Sequence, residues 1–172
     1  MTEKEFLNGV ANGKIDIVQK LLDILKIKKI AYCVIGGLAV NAYVEPVVSL
    51  DLDIIITAKD LDRFKKAVSK TFEIKAFKHS LNLYRPDSNL RIQVQTDQRY
   101  QKFISQAKEK MLLGYPMMVA SLEDVLQGKI WAYSDPERRQ SKRQKDLADI
   151  FRIIESFPEL KALLPDDVHD MF

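Results

Sequence analysis

The first half of the chain combines helically spaced apolar positions with short, continuous apolar runs. From Ile15 to Ile27 the apolar residues recur with the spacing of one helix face, which predicts an amphipathic helix. The segments Ile30 to Ile35 and Leu50 to Thr57 are short and apolar, and they predict two buried strands. Between them, Leu38 to Tyr43 predicts a short helix that ends before a proline. This order indicates a helix that leads into a sheet.

The second half changes from strands to helices. After a surface helix from Ala58 to Lys70, strands are predicted at Phe72 to Phe77, Leu81 to Tyr84 and Leu90 to Val94. Beyond Ser121, a good helix N-cap, helices are predicted at Leu122 to Tyr133, Ser141 to Ser156 and Glu159 to Leu164. We therefore expect an α+β fold, with a mixed β-sheet flanked by helices over residues 1–120 and a helical C-terminal part over residues 121–172 packed on that core.

Two aspartates begin the second buried strand. Side chains alternate along a strand, so Asp51 and Asp53 project on the same side and their carboxylates can converge. Two like charges held close together need a counter-cation, and Mg²⁺ or Mn²⁺ takes carboxylate oxygens together with phosphate oxygens. An isolated Asp-x-Asp is usually a turn or a solvated strand edge. Here the apolar run Ile54 to Ile56 follows, which favours a metal site.

A glycine pair stands between the first strand and the short helix. Gly36 and Gly37 allow a sharp backbone turn and bring N–H groups close to a phosphate. The segment does not match a GxGxxG or a Walker A pattern, because it lacks the later glycine and the lysine. Taken alone, the pair is equally compatible with a tight strand-to-helix turn.

Together, the segments Val34 to Ala42 and Ser49 to Ile54 resemble the signature of the polymerase-β-like nucleotidyltransferase superfamily. The combination is far more specific than either half. The resemblance implies the nucleotidyltransferase fold and a nucleoside triphosphate as substrate. It also implies triphosphate binding by Gly36, Gly37 and Ser49, and binding of catalytic metal ions by Asp51 and Asp53.

The C-terminal part extends this resemblance. The segments Ser121 to Ala132 and Lys145 to Ile150 look like helices of AbiEii-type and minimal nucleotidyltransferases. The resemblance implies that Lys129 and Lys145 meet nucleotide phosphates, and it points to a toxin-antitoxin or phage-defence setting. An alternative interpretation of the second helix is a solvated face with simple ion pairs, formed by Lys142, Asp146 and Asp149.

Two departures from the family pattern bear on activity. Relatives often carry Arg-x-Thr before the aspartates, whereas Val47 to Ser49 keeps the hydroxyl and loses the arginine. Active relatives also carry a third carboxylate on a neighbouring strand, as a metal ligand or base. The best candidate strand presents Gln93 there, and glutamine cannot act as a base. Asp97 lies further along the same face, and could replace that carboxylate only if the strand is shifted.

Three functions remain open from the sequence. The first is Mg²⁺-dependent transfer of a nucleoside monophosphate from an NTP to a protein, an RNA or a small molecule. The second is a module that binds the metal–nucleotide complex without turnover, as Gln93 indicates. The third is an RNA-binding nucleotidyltransferase-like protein, in which the basic segment Arg138 to Lys145 contacts RNA.

Charge and cysteine content limit the setting. The formal net charge of +3 is too small to make the whole chain a polyanion-binding protein. The single cysteine, Cys33, lies in an apolar run, so no intrachain disulfide can form and a reducing compartment fits best. The N-terminus lacks the pattern of a secretory signal, and no apolar run approaches membrane-spanning length. We therefore expect a cytoplasmic protein without a membrane partner.

Overall fold

A computed structural model describes residues 1–172, and its centre is one seven-stranded mixed sheet. The strands are β1 (Tyr32–Ile35), β2 (Asp51–Ile56), β3 (Glu73–Ala76), β4 (Ser80–Tyr84), β5 (Arg91–Gln95), β6 (Lys108–Leu112) and β7 (Tyr115–Val119). Their order across the sheet is β3-β4-β5-β2-β1-β7-β6. Strand β2 pairs antiparallel with β1 on one side and parallel with β5 on the other.

Helices surround this sheet and dominate the C-terminal part. They are α1 (Glu3–Val10), α2 (Ile17–Ile27), α3 (Gly36–Val40), α4 (Leu61–Val68), α5 (Phe103–Gln106), α6 (Leu122–Ser134), α7 (Gln140–Ser156) and α8 (Asp166–His169). Helix α2 begins at Asp16, whose carboxylate accepts a hydrogen bond from the Gln19 amide at 2.9 Å. Ser121 caps α6 as predicted, because its hydroxyl accepts from the Asp124 amide at 3.2 Å.

Helices and sheet share one hydrophobic core. A single cluster of 41 buried residues includes side chains from β1, β2, β5, α4, α6 and α7. Cys33 is fully buried in it, and burial raises the pKa of its thiol to about 12. No helix of the chain is long and apolar enough to cross a membrane. The predicted α+β architecture, a mixed sheet with flanking helices, is confirmed.

Some elements differ from the sequence prediction. Helix α1 and the hairpin of β6 and β7 were not predicted, and the helix predicted from Ala58 begins as a 3₁₀ turn before α4. The hairpin turns through Leu113 and Gly114, which both have positive φ values, 54° and 76°. Two successive positive φ angles are typical of the tight turns that join antiparallel strands. Leucine is not a usual residue at a positive φ, so the turn was not recognisable from its residue types.

Candidate active site

Strand pairing brings the two aspartates and the glycine turn together. Asp51 and Asp53 are partly exposed on β2, while Leu52 and Ile54 between and beyond them are buried. Because β1 runs antiparallel to β2, its last residue, Ile35, pairs with Asp53. The glycine turn follows Ile35 directly. The end of β1 and the beginning of β2 therefore meet at one edge of the sheet.

Gly36 fits this place because it has no side chain. Its φ is 71°, in the region that favours glycine. A Cβ atom at Gly36 would overlap the Oδ2 atom of Asp53 and would lie 3.2 Å from the Asp53 Cβ atom. A Cβ atom at Gly37 would meet only Asp149 Oδ2, at 3.7 Å, which is ordinary contact. The close approach of backbone to carboxylate therefore depends on Gly36.

Asp51 is held by cations from two other elements. Its Oδ1 atom accepts from Arg91 of β5, at 2.8 Å from Nε and 2.7 Å from Nη2. Its Oδ2 atom lies 3.3 Å from the Nζ atom of Lys142 on α7. The Ser49 hydroxyl accepts a hydrogen bond from the Asp51 amide at 3.3 Å. The carboxylate expected to bind metal is thus neutralised by Arg91 and Lys142.

Asp53 has no ion-pair partner of this kind. Burial raises the pKa of its carboxyl to about 6, and the negative charge of Asp51 adds to the rise. The more distant cations Lys129, Arg138 and Lys142 oppose it. A carboxylate that is costly to ionise is stabilised by a nearby cation, so this position is suited to a metal ligand.

A buried ion-pair cluster joins α6 to α7 beneath the glycine turn. Lys129 is 8% exposed, and its Nζ atom lies 2.9 Å from Asp146 Oδ1 and 2.8 Å from Asp149 Oδ2. Arg138 also binds Asp146, at 2.6 Å, and Arg152 binds Asp149, at 2.7 Å. Burial alone would lower the pKa of Lys129, but the two carboxylates outweigh it and raise this pKa. We call these five residues the buried ion-pair cluster.

This cluster corrects one interpretation of the sequence. Asp146 is 1% exposed and Asp149 is 9% exposed. The solvated helix face considered for them is therefore wrong. Lys142 is partly exposed and bound to Asp51, so it also belongs to the site. Lys129, which was expected at the nucleotide phosphates, forms ion pairs with two carboxylates.

Nearly all the predicted site residues line one cleft of about 840 Å³. They are Gly36, Gly37, Ser49, Asp51, Asp53, Lys129 and Lys145. Asp97 is not among the lining residues. Its carboxylate caps the 3₁₀ turn Gln98–Tyr100 and binds Arg99 at 2.8 Å, and this pairing lowers its pKa. The structure does not bring Asp97 to the aspartate pair, because β5 runs parallel to β2 with Gln93 opposite Asp53 and Gln95 opposite Ile55, and Asp97 follows further along.

The pairing register of β5 with β2 places a glutamine beside Asp53, the position at which a third carboxylate was expected. Gln93 of β5 pairs directly with Asp53, and Asn82 of β4 pairs with Gln93. Both line the cleft. The Oδ1 atom of Asn82 is buried without a hydrogen-bond partner. The floor beside Asp53 is thus made of neutral amides, one of which has an unsatisfied acceptor atom.

Several residues of the cleft were not assigned to the nucleotide and metal site from the sequence. Arg91, Lys142, Asn82, Arg138 and Arg152 line it as well. Their contacts join segments far apart in the chain, since Arg91 and Asp51 are 40 residues apart and Lys142 and Asp51 are 91 apart. Only the pairing of β5 with β2 and the packing of α7 bring them together.

The donor set of the aspartate pair fits a hard divalent cation. Two carboxylates share one face of β2, and the amide oxygen of Gln93 is a further oxygen donor on the adjacent strand. No group of three or more His, Cys, Asp or Glu side chains that could hold a metal converges in the chain. A metal ion here would therefore take its remaining oxygens from phosphate groups or water, as Mg²⁺ commonly does.

Comparison with known proteins gives neighbours for the fold. No family model matches the sequence, and no curated protein matches it. The structure of ANT(2'')-Ia in complex with adenylyl-2''-tobramycin matches with a TM-score of 0.61 and 14% identity, over 90% of this chain and 94% of that chain. Lincomycin-bound lincosamide antibiotic adenylyltransferase LnuA matches with a TM-score of 0.56 and 12% identity, over 82% and 98%.

A third neighbour is an antigenic nucleotidyltransferase-like protein from Paracoccidioides brasiliensis. It matches with a TM-score of 0.53 and 21% identity, over 90% of this chain and 78% of that chain. All these identities are low, so the likeness concerns the fold. The chain has the fold of nucleotidyltransferases, and the predicted nucleotidyltransferase fold is confirmed.

Proposed function

We propose that this protein transfers a nucleoside monophosphate from an NTP to an acceptor, with a divalent cation held by Asp51 and Asp53. The observation that carries the proposal is the meeting of these carboxylates with Gly36 in one cleft. A glycine turn allows close approach of phosphate, and paired carboxylates provide oxygen ligands for the accompanying metal. The nucleotidyltransferase fold is consistent with this chemistry.

In this proposal the metal–nucleotide complex binds at residues that form ion pairs with each other, such as Asp51 and Lys142. Mg²⁺ or Mn²⁺ bound at Asp51 and Asp53 would neutralise charge on the triphosphate and on the departing pyrophosphate. Lys142 makes the longest of the contacts to Asp51, at 3.3 Å, so it is the cation most easily displaced. Lys142 and the exposed Lys145 one turn of α7 away then serve as phosphate contacts. Ser49 positions the Asp51 backbone.

In this proposal Lys129 has a structural role, because it holds the helix that packs against the glycine turn. Its charge is shared between Asp146 and Asp149, and Asp149 lies next to the backbone of Gly37. The lysine therefore fixes α7 against the glycine turn, in addition to any attraction for phosphate.

The proposed setting is cytoplasmic, in a toxin-antitoxin or phage-defence system. It is supported by the resemblance of Ser121 to Ala132 and Lys145 to Ile150 to AbiEii-type helices. The solved neighbours named above include a lincosamide antibiotic adenylyltransferase bound to lincomycin and ANT(2'')-Ia in complex with adenylyl-2''-tobramycin. A small molecule is therefore a candidate acceptor, as are a protein and an RNA. Growth arrest on expression of the protein, relieved by a neighbouring gene product, would support the defence setting.

The second candidate function is a module that binds the metal–nucleotide complex without turnover. It is favoured by the direct pairing of Gln93 with Asp53, since an amide cannot take a proton from an acceptor hydroxyl. The two candidates share the nucleotide site and differ only in pyrophosphate release.

The deciding experiment titrates ATP, GTP, CTP and UTP with Mg²⁺ or Mn²⁺ into the wild type and the Asp51→Ala, Asp53→Ala double variant. Binding is followed by calorimetry, and pyrophosphate release is followed in parallel. We expect binding and release in the wild type and loss of both in the double variant. Asp97→Ala is the matched control, because its carboxylate lies outside the cleft, and we expect it to retain both.

Each outcome separates the candidates. Binding without release, with every acceptor class supplied, identifies the non-catalytic module. Absence of metal-dependent nucleotide binding contradicts both functions. Loss of activity in Asp97→Ala alone would return Asp97 to the catalytic set.

A further inference from the structure

The side of the cleft beyond Asp53 contains no carboxylate. In sheet order, β5 and β4 follow β2 on this side, and they contribute Arg91, Gln93, Gln95 and Asn82 to the lining. These side chains are neutral or positive. An acceptor with several amino groups would need anionic partners here, and a hydroxyl acceptor would need a base.

The remaining carboxylates of the cleft do not supply that base. Asp146 and Asp149 are tied into the buried ion-pair cluster. Asp124 lines the cleft without an ion pair, but it lies in the first turn of α6, which follows β7 on the opposite side of β2 from β5. The position beside Asp53 is filled by Gln93.

Arg91 gives this acceptor side a positive charge. Its side chain is 52% exposed and lies against Asp51 at the start of β5. Because both nitrogen contacts go to a single oxygen of Asp51, the guanidinium retains free N–H groups for a second anion. The amide of Gln93 adds a neutral donor next to it.

From these features, and on the basis of the function proposed above, we infer that the acceptor attacks with an oxygen that is already an anion, as in a phosphomonoester. Such a nucleophile needs no base, which explains a glutamine at position 93. A phosphate oxygen forms a bond to the α-phosphorus of the NTP as the bond from that phosphorus to the oxygen bridging to the β-phosphorus breaks. The electron pair leaves with pyrophosphate, and no proton is removed from the nucleophile.

Inorganic phosphate is the smallest probe of this chemistry. Attack by phosphate on the α-phosphorus converts an NTP into the NDP and pyrophosphate, so radiolabelled phosphate enters the NDP only by this route. We expect label in the NDP with wild type and Mg²⁺, and at least about tenfold less nucleotidylated glycerol at equal acceptor concentration. Arg91→Gln should lower labelling by about tenfold, because one charge-assisted contact to the anion is lost.

Gln93→Glu is the sharpest variant, since it changes one group and keeps its size. The added carboxylate should repel phosphate and lower NDP labelling by at least about tenfold. It should also raise transfer to glycerol, because a base is now present. Asp97→Asn, at a residue outside the cleft, should leave labelling unchanged.

The outcomes distinguish this inference from the function on which it rests. Absence of metal-dependent NTP binding in the same protein sample contradicts the proposed function itself. NTP binding without labelled NDP overturns only the inference, whether glycerol is nucleotidylated or not. Efficient wild-type transfer to glycerol that is lost in Asp124→Asn would also overturn it, since a carboxylate base would then be acting.

Discussion

At the scale of single residues, the contact between Gly36 and Asp53 is the most constrained point of the cleft. The positive φ of Gly36 and the closeness of the Asp53 carboxylate both exclude a larger residue. The glycine therefore affects stability and the proposed metal binding through the same atoms.

We predict that Gly36→Ala destabilises the fold by about 2–4 kcal/mol, from backbone strain together with overlap. Urea unfolding measures this. The matched control is Gly9→Ala, where a Cβ atom would meet nothing within 4 Å. That change lies within helix α1 and should be neutral or stabilising by up to about 1 kcal/mol. Combining Gly36→Ala with Asp53→Ala should recover part of the loss. A purely additive double variant would contradict the proposed steric coupling.

The raised pKa of Asp53 predicts a pH-dependent cost in the metal-free protein. The folded-state pKa of about 6 lies above the ordinary aspartate pKa of 3.8. The penalty is therefore fully present above the folded pKa and fades as pH falls toward the unfolded pKa. We predict that Asp53→Asn stabilises the chelator-treated protein by about 1–3 kcal/mol at about pH 7.5 and by clearly less at about pH 4.5.

Thermal unfolding at the two pH values checks this prediction. Asp87→Asn is the control, and we expect it to lower stability at the higher pH, because the Arg85 ion pair lowers the pKa of Asp87. Its carboxylate contributes stability above the unfolded pKa and loses that contribution as pH falls through the folded pKa. A stabilising effect of Asp53→Asn that does not change with pH would contradict the assignment.

The sequence identified individual residues best where the signal is local. The aspartate pair and the glycine pair lie in short motifs whose strand context follows from adjacent apolar runs. Arg91 carried no such signal, because its role depends on the parallel register of β5 against β2. For Asp97, counting along the polar face of the strand was insufficient, since the parallel register places Gln93 beside Asp53 and leaves Asp97 beyond the other end of β5.

At the scale of secondary-structure elements, the buried ion-pair cluster fixes helices α6 and α7 to each other. Three cations and two carboxylates are shared between the two helices and the segment that joins them. Removing one member leaves buried charge without its partner.

We predict that Lys129→Met lowers the free energy of unfolding by about 2–4 kcal/mol, because Asp146 and Asp149 stay buried with one fewer cation. Lys145→Met is the matched control, since Lys145 is exposed and has no ion pair, and it should change stability by less than about 0.5 kcal/mol. Chemical denaturation compares the two variants. Equal effects would contradict the structural role of Lys129.

Long helices and strands with clear boundaries were predicted more accurately than short ones. The long helix α7 was placed within a residue at its start, because its apolar periodicity is sustained. The hairpin of β6 and β7 escaped prediction, since its strands carry charged and apolar residues without strict alternation. The buried character of Asp146 and Asp149 also escaped, because acidic residues on a helix ordinarily face water.

At the scale of the whole molecule, much of the basic segment Arg138 to Lys145 is engaged internally. Arg138 binds Asp146, Lys142 binds Asp51, and Arg143 donates to the carbonyl of Tyr133. The segment therefore offers RNA fewer charges than its sequence indicates.

Arg139 and Lys145 are the two exposed cations left in the segment. We predict that replacing both by glutamine reduces the slope of log binding constant against log salt concentration by no more than about 2. Lys28→Gln with Lys29→Gln, two exposed lysines at the end of α2, is the control. Titration of a fluorescent RNA at several salt concentrations measures both. A much larger effect in the segment than in the control would restore it as a dedicated RNA contact.

The connection between α3 and β2 forms the rim of the cleft. Asn41 braces it with two hydrogen bonds to Val47, at 2.7 and 3.1 Å, while Val47 and Val48 remain 51% and 68% exposed. The exposed side chains of Val47 and Val48 can therefore change without disturbing the strands that carry the aspartates. Substitutions confined to these two positions would alter which molecules enter the cleft while Asp51 and Asp53 keep their places.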